Sequence, residues 1–371
     1  MAIDAFSTSD EHFMQRAIRL ARRGLYTTDP NPRVGCVLVR DGVVVGEGWH
    51  EKAGGPHAEV HALRAAGDKA RGSTAYVTLE PCSHTGRTGP CAEALVDASV
   101  ARVIAADRDP NPEVSGQGID ALRRHGLDVG VGLMADEAAA LNPGYLSRMT
   151  RGRSFVRVKS AMSLDGRTAL ANGKSLWITG EEARADVHTY RARSSCIITG
   201  IRTVLADDPK LTARVAEPVT SPSLVIMDRE LRCPPGAQVL AHPGGCTIAY
   251  IADDRPELRA RADALTGAGA TLLPFTSDTP EALIEALVTR LARDHVNEIM
   301  VEAGPTLAGA WLRAGVVDEW VVYIAANVLG PDARPLVALP RIEDMSERMS
   351  WRRREVSTVG DDIKLVLTPR G

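Results

Sequence analysis

Gly55-Pro56-His57-Ala58-Glu59-Val60-His61-Ala62-Leu63, then Thr74 to Leu79 leading into Glu80-Pro81-Cys82, then Pro90-Cys91-Ala92, form the stretch from which the rest of the chain is read. Pro56 suits the first turn of a helix that carries His57, Glu59, Leu63 and Ala66. Thr74 to Leu79 has the length and β-branched content of a strand, and Ala92 to Ala98 reads as a second helix. A helix, a strand and a helix thus each deliver one imidazole or thiol. Zinc takes nitrogen and sulfur ligands in tetrahedral geometry, and a catalytic zinc keeps three protein ligands and an open position. His57, Cys82 and Cys91 make three, and Glu59 is left to move protons. Residues two apart in a helix interior point to nearly opposite sides, so this assignment requires the helix to begin near Pro56. The competing reading is a disulfide, or two unrelated buried cysteines.

Working outward, Thr8 and Glu11 have the spacing of a capping box. Phe13, Ala17, Leu20 and Ala21 then recur at helical spacing up to Gly24. Val34 to Val39 is strand-like, and Asp41-Gly42 signals a hairpin turn into Val43 to Val45. Val100 to Ala106, Ile119 to His125 and Val129 to Val131 continue as strand, helix and strand, and Ala135 to Met149 reads as one helix. Alternation of this kind predicts an α/β layer structure. Thr150-Arg151-Gly152-Arg153 interrupts the pattern, which places a boundary between residues 1–150 and 151–371. Phe155 to Lys159, Val225 to Met227, Ile248 to Ile251, Thr271 to Leu273, Ile299 to Val301 and Val321 to Ile324 follow as short apolar runs. Helical stretches such as Glu281 to Arg293 lie between some of them, the pattern of a mostly parallel, helix-covered sheet.

The chain has 371 residues, 44% hydrophobic and 25% charged, enough for two globular domains. A net charge of −3 and 4% aromatics argue against phosphate neutralisation or base stacking on a nucleic acid. No apolar run approaches the length of a membrane span, and Met1 to Asp10 lacks the features of a signal peptide. The expected location is the cytoplasm, where the six cysteines would be reduced, buried or metal-bound.

Zinc deaminases carry an H-x-E and P-C-x-x-C signature in which the glutamate is general acid/base and not a ligand. Here eight residues separate Cys82 from Cys91, and the insert from Ser83 to Gly89 is polar, flexible and basic enough to line a substrate pocket. His50, His61 and His84 read as solvated or structural. Asn31-Pro32 reads equally as a pocket loop or a turn.

With Pro30 to Gly35, His57 to Leu63, Val77 to His84 and Asp109 to Pro112, these residues resemble the bifunctional deaminase-reductase family of riboflavin biosynthesis, whose form of the motif has the long Cys-Cys spacing. Gly89 stands where that family usually has proline. The resemblance continues through Lys159 to Arg167, Ser175 to Thr179, Thr203 to Pro209, Leu211 to Arg214 and Val301 to Gly309. It implies an N-terminal cytidine-deaminase-like α/β/α domain that binds zinc and deaminates a pyrimidine. It also implies a C-terminal dihydrofolate-reductase-like α/β domain that uses NADPH. Carried over by position, Ala161, Trp177, Thr203, Asp207, Gly304, Pro305, Thr306, Leu307, Ala308, Gly309 and Ala310 would contact the cofactor. Ser175, Arg191, Leu211, Arg214 and Glu302 would contact the substrate. Arg229 stands where some members have a serine at the cofactor.

The implied reactions are deamination of 2,5-diamino-6-(5-phosphoribosylamino)pyrimidin-4-one to 5-amino-6-(5-phosphoribosylamino)uracil, then reduction of its ribosyl group to ribityl. The partner is a small phosphorylated pyrimidine, with no nucleic acid and no membrane, and the fold suits a homodimer or homotetramer. The alternative is an RNA or nucleobase zinc deaminase with a non-catalytic C-terminal domain.

Read without the resemblance, the second half says less. There is no G-x-G-x-x-G after a strand. Gly304-Pro305-Thr306 after an apolar strand is either a phosphate-holding helix start or a plain turn. Arg191 and Arg214 are either a forked clamp for a substrate phosphate or solvated arginines, and Lys159 either orients substrate or is surface.

Overall fold

The computed structural model describes residues 6–83, 89–112, 114–277 and 279–370. The chain divides into two compact units, Met1–Gly152 and Arg153–Gly371.

In the first unit the elements run α1 (Thr8–Ala21), β1 (Gly35–Arg40), β2 (Val43–Trp49), α2 (Ala58–Ala66), β3 (Thr74–Val77), α3 (Cys91–Asp97), β4 (Arg102–Ala105), α4 (Gln117–Arg124), β5 (Asp128–Val131), α5 (Ala135–Ala139) and α6 (Pro143–Arg151). The sheet order is β2-β1-β3-β4-β5. The β1–β2 and β1–β3 pairs are antiparallel, and β3, β4 and β5 are parallel. Asp41 and Gly42 take φ of 52° and 75°, the left-handed pair that a two-residue hairpin requires. Side chains alternate across the sheet. Val37, Val39 and Ile104 pack on one face with Phe13, Met14 and Ala17 of α1. Cys36, Leu38, Val77 and Val103 pack on the other with Ala62 of α2, Leu95 of α3 and Leu122 of α4. The result is an α/β/α sandwich.

Two local expectations are corrected. The cap of α1 is Ser7 with Asp10, not Thr8 with Glu11. The Ser7 hydroxyl accepts from the Asp10 N–H, and the Ser7 N–H donates to the Asp10 carboxylate. Ala135 to Met149 is not one helix. It breaks after α5 and restarts at Pro143, whose ring is compatible with a first helical turn and not with an interior one. Gly152, with φ 64°, ends α6.

The second unit continues with β6 (Phe155–Ser163), β7 (Arg167–Ala169), α7 (Glu181–Arg193), β8 (Cys196–Gly200), α8 (Ile201–Asp207), β9 (Ser223–Met227), β10 (Cys246–Ile251), α9 (Pro256–Gly267), β11 (Thr271–Phe275), α10 (Pro280–Arg293), β12 (Glu298–Glu302), α11 (Pro305–Arg313), β13 (Glu319–Ala325), β14 (Arg334–Pro335), β15 (Trp351–Val359) and β16 (Asp362–Pro369). The main sheet has the order β11-β10-β9-β8-β12-β6-β13-β16-β15. It is parallel from β11 to β13 and antiparallel at β16 and β15. Its near-continuous Val/Ile runs match burial on both faces. Val156, Ile198, Ile299 and Val301 pack under Leu287 of α10 and Trp311 of α11. Ile197, Leu224, Ile226 and Ile248 pack under Val204 of α8 and Leu258 of α9.

α7 covers the sheet differently. Ala183 and Val187 meet Met300, Val321 and Tyr323, with Tyr190 beside them, and an ionic layer lies next to this small apolar contact. Fully buried Arg157 pairs with Glu319, and with Glu298 at 3.1 Å. Glu298 also takes Arg193 at 3.0 Å.

Candidate metal centre and a second polar site

α2 begins where the chemistry needs it to. His57 is its N-cap, in extended conformation, and Ala58 is the first helical residue. Because His57 sits outside the helical repeat, it and Glu59 are not forced to opposite sides. Pro90 caps α3 in the same way, so Cys91 opens that helix. Cys82 follows β3 through the Thr78-Leu79-Glu80-Pro81 turn.

His57 Nδ1 lies 3.3 Å from Cys91 Sγ and 3.5 Å from Cys82 Sγ. The three candidate ligand atoms fall within 4.8 Å of one another. A tetrahedral zinc spans roughly 3.6 Å between a nitrogen and a thiolate ligand, so the donor set and its spacing fit that ion. The two sulfurs form no disulfide.

The Cys91 N–H points at Cys82 Sγ from 3.4 Å. Hydrogen bonding from the Cys91 thiol outweighs burial and, with His57, pulls Cys82 down to about 4; Cys91, as donor to that sulfur, is pushed up. His57 is raised, first by its bond with Cys82. Glu59 is buried at 3% exposure, and burial pushes its carboxyl up to about 7. A carboxyl poised there exchanges protons near neutral pH.

Two neighbours carry more than their sequence context announced. Glu80 is buried, and its carboxylate accepts four backbone N–H groups: Asp109 at 3.2 Å, Gly116 at 3.0 Å, Gly118 at 2.9 Å and Ile119 at 3.1 Å. It thereby ties the turn before Cys82 to the start of α4. Gly118 is required there, since a Cβ would collide with the Pro81 carbonyl. His50, expected to be solvated or structural, is buried edge-on to His57 with ring centroids 5.5 Å apart. Its Nδ1 meets the Pro56 carbonyl at 2.9 Å and its Nε2 meets Asn31 Nδ2 at 3.1 Å. The proton therefore sits on Nδ1, and burial holds the ring below its ordinary pKa. The pairing of His50 with Asn31 is the kind of contact a sequence does not encode at short range. Within the insert, residues 84–88, including His84, lie outside the described residues.

In the second unit, polar residues gather at the C-terminal ends of the parallel strands. Arg191 of α7 clasps Glu302 of β12 with two bonds, Nε–Oε1 at 2.5 Å and Nη2–Oε2 at 2.9 Å. Lys159 of β6 is directly across from Glu302 in register. Burial lowers Lys159, with Glu302 opposing and Arg191 reinforcing. Burial alone would raise Glu302, but Arg191 and then Lys159 hold it below the usual carboxylate value. Arg191 Nη1 also donates to the Thr212 carbonyl at 3.2 Å, which brings in the Leu211–Arg214 segment. Leu211 is buried with φ 51°.

Gly304 caps α11 with no side-chain bond, Pro305 occupies its first turn, and a Cβ at Gly304 would meet nothing. Uncapped N–H groups at such a helix start fit a phosphate. Arg202 Nη1 reaches Thr306 Oγ1 at 3.4 Å, and a Cβ at Gly200 would meet Leu307 Cδ2 at 2.9 Å, so the starts of α8 and α11 adjoin. Thr203 lies in α8, Asp207 is exposed at its end, and Ala161 lies on β6. Leu307, Ala308, Gly309 and Ala310 continue α11, where Gly309 packs against the Ala338 carbonyl. Trp177 is exposed with the Arg184 guanidinium 4.5 Å from its ring centroid, and neighbouring Ser175 is half-buried. No hydrogen bond joins Ser175 to Arg191 or Glu302 among the described residues.

Comparison with known proteins follows this division. The profile of the cytidine and deoxycytidylate deaminase zinc-binding region matches residues 7–107. That of the RibD C-terminal domain matches residues 154–365. The chain is 47% identical to riboflavin biosynthesis protein RibD of Escherichia coli K12 over 96% of its own length and 99% of the relative's. It is 44% identical to the Haemophilus influenzae protein of the same name, covering 99% of both chains. The solved Acinetobacter baumannii RibD superposes with a TM-score of 0.90 at 44% identity, over 98% of this chain and 99% of that one. A Thermotoga maritima structure titled diaminohydroxyphosphoribosylaminopyrimidine deaminase/5-amino-6-(5-phosphoribosylamino)uracil reductase superposes at 0.85 with 30% identity, over 98% and 99%. The expected α/β architecture stands, with a cytidine-deaminase-like first unit and a second unit matching the RibD C-terminal domain. With relatives of this identity over nearly its whole length, the chain belongs to the riboflavin biosynthesis protein RibD family.

Proposed function

We propose that the chain catalyses two consecutive reactions on one phosphorylated intermediate. The first is zinc-dependent hydrolytic deamination of 2,5-diamino-6-(5-phosphoribosylamino)pyrimidin-4-one. The second is NADPH-dependent reduction of the ribosyl group of the resulting 5-amino-6-(5-phosphoribosylamino)uracil. The observation that carries the first reading is the convergence of His57 Nδ1, Cys82 Sγ and Cys91 Sγ beside a buried Glu59.

Zinc held by those three residues would supply a water acidic enough to ionise near neutral pH. Glu59 takes the proton from the attacking water, delivers it to the pyrimidine ring nitrogen, and then assists ammonia in leaving the amino-bearing carbon. The Cys82 and Cys91 sulfurs would hold the metal, with His57 as the neutral nitrogen donor. Glu80 keeps the Cys82 turn in place through its four backbone partners.

In the second unit NADPH would supply hydride to C1 of the ribose, opened to an imine. The uncapped first turn of α11, from Gly304 to Leu307, would hold a cofactor phosphate, with Ala308, Gly309 and Ala310 following it in the helix. Ala161, Trp177, Thr203 and Asp207 would contact the same cofactor. Arg191, held by Glu302, joins Arg214, Leu211 and Ser175 around the substrate. A forked guanidinium suits the substrate's phosphate.

The partner is thus a small anionic pyrimidine. Among the described residues no helix is long and apolar enough to cross a membrane. A cytoplasmic homodimer or homotetramer belongs to the same proposal, and light scattering of the purified chain tests the assembly. The near-full-length relatives, which include the second unit, favour this reading over a nucleic-acid deaminase with an accessory domain.

The test is to generate the diamino substrate in situ and follow ammonia release and NADPH oxidation together. Ammonia release is expected to precede NADPH oxidation. A zinc chelator should stop ammonia release while a supplied aminouracil is still reduced. If chelated protein deaminates at its original rate, the zinc reading is wrong.

A further inference from the structure

Arg214 is presented by a loop, and the loop is pinned to α7 by side chains. His188 Nδ1 lies 3.1 Å from the Thr212 carbonyl, which also accepts from Arg191 Nη1 at 3.2 Å. His242 Nε2 meets the preceding Leu211 carbonyl at 3.3 Å. His188 and Arg191 are three residues apart on α7 and therefore neighbours on one face. Beyond the pinned carbonyl, the Arg214 guanidinium folds back. Its Nη2 is 2.8 Å from His188 Nε2, and its Nη1 is 3.3 Å from Thr212 Oγ1.

This geometry fixes the imidazole tautomer. A guanidinium has no lone pair to offer and stays protonated, so Arg214 donates and His188 Nε2 accepts. The single ring proton then sits on Nδ1 and goes to the Thr212 carbonyl. In that tautomer the Arg214 backbone N–H, 3.3 Å from Nδ1, cannot bond to it. Burial, followed by the charges of Arg191 and Arg214, holds His188 down to about 4, so the neutral ring persists at neutral pH. Of the five donors of Arg214, two are used by His188 and Thr212, leaving three for an oxyanion.

We propose that His188 is a positioning residue of the reductase site: its neutral ring, anchored through Nδ1–H to the Thr212 carbonyl, aims the Arg214 guanidinium at an anionic group of the substrate beside the Arg191–Glu302 pair. The inference rests on the reading that Arg214 contacts substrate, and goes beyond it in naming what orients that contact. An arginine contact to a group remote from the reacting carbon stabilises ground and transition states alike, so its loss raises KM and spares kcat.

Four variants test it, with steady-state reduction of supplied 5-amino-6-(5-phosphoribosylamino)uracil by NADPH as the readout. Arg214→Ala is expected to raise the substrate KM. His188→Asn keeps a donor toward Thr212 but offers no acceptor at the Nε2 position. It is expected to raise the substrate KM by about tenfold, the size of one charge-assisted hydrogen bond, with kcat and the KM for NADPH little changed. His188→Gln extends an amide oxygen to the Nε2 position and should recover most of that loss. The double variant His188→Asn/Arg214→Ala should be no worse than Arg214→Ala alone. A wild-type KM for His188→Asn while Arg214→Ala is impaired overturns the positioning role and leaves the Arg214 reading intact. A fall in kcat, NADPH affinity and thermal stability together, or additive losses in the double variant, also overturns it. A wild-type KM for Arg214→Ala overturns both.

Discussion

Ligand residues alone do not hold a metal site, and here a carboxylate two positions before Cys82 supplies much of the framework. The four N–H groups that converge on Glu80 come from Asp109, Gly116, Gly118 and Ile119. Glu80→Gln replaces one acceptor oxygen with a donor and sets it against two of them. The expected cost is about 2 kcal/mol of stability, because buried N–H groups lose a charged acceptor. Zinc affinity should fall about tenfold or more, as for other residues that orient ligands. Thermal denaturation and chelator competition measure the two, and an unchanged zinc affinity would assign Glu80 to folding alone. The three convergent donors are legible in the sequence because each is introduced by a local signal: Pro56 before His57, Pro81 before Cys82, Pro90 before Cys91. Glu80 stood in the same run without a role, since its partners lie 29 to 39 residues away.

At the scale of the element, the position of α2 depends on glycine in the strand beneath it. A Cβ at Gly48 of β2 would come within 2.7 Å of the Ala58 carbonyl and of the Ala62 N. Gly48→Ala therefore pushes α2, with His57 at its start, off the sheet. We expect a loss of about 1–3 kcal/mol from overpacking, together with weaker zinc binding, read by denaturant titration and metal competition.

The start of α1 makes a second case. Ser7-x-x-Asp10 and Thr8-x-x-Glu11 offer the same local pattern, so sequence spacing cannot choose between them. The choice is made by tertiary partners: the Tyr76 hydroxyl donates to Asp10 at 2.8 Å, and Arg102 at 3.0 Å. Burial pushes the Asp10 carboxyl up, but the Ser7 N–H, Tyr76, the Ser7 hydroxyl and Arg102 together hold it below its ordinary 3.8. Its contribution is therefore complete above about pH 4 and lost as pH falls through the lowered folded value. Asp10→Asn should flatten the acid limb of the stability–pH curve while lowering stability at neutral pH. An acid limb identical to the parent's would refute this role.

Over the whole molecule, the two units differ in how much of their chemistry a linear reading reveals. The candidate N-terminal metal centre is compressed into residues 57–91, each donor being a distinctive atom type. The proposed C-terminal site draws on Lys159, His188, Arg191, Arg214 and Glu302, ordinary polar residues spread over two strands, a helix and a loop. In the proposed reduction the cofactor would supply the reactive chemistry, so few side chains would be diagnostic. Without the ordered set of family motifs, Arg191 and Arg214 read equally as solvated arginines, and nothing in the sequence singles out His188. The ionic layer under α7 was equally hidden, because Arg157, Glu298 and Glu319 are joined only across strands. Arg157→Met removes the guanidinium shared by two buried carboxylates, Glu298 and Glu319, which Arg193 and Arg354 also approach. It should destabilise the second unit by about 3 kcal/mol, detectable by chemical denaturation, with zinc binding by the first unit unchanged.

The central claim is that Glu59 moves the protons at a zinc centre built from His57, Cys82 and Cys91. It is tested most directly in Glu59→Ala, by measuring zinc content, ammonia release from the diamino substrate, and NADPH oxidation with supplied aminouracil. The account predicts retained zinc, ammonia release reduced to background, and reduction at the parent rate. Ammonia release at the parent rate would contradict it.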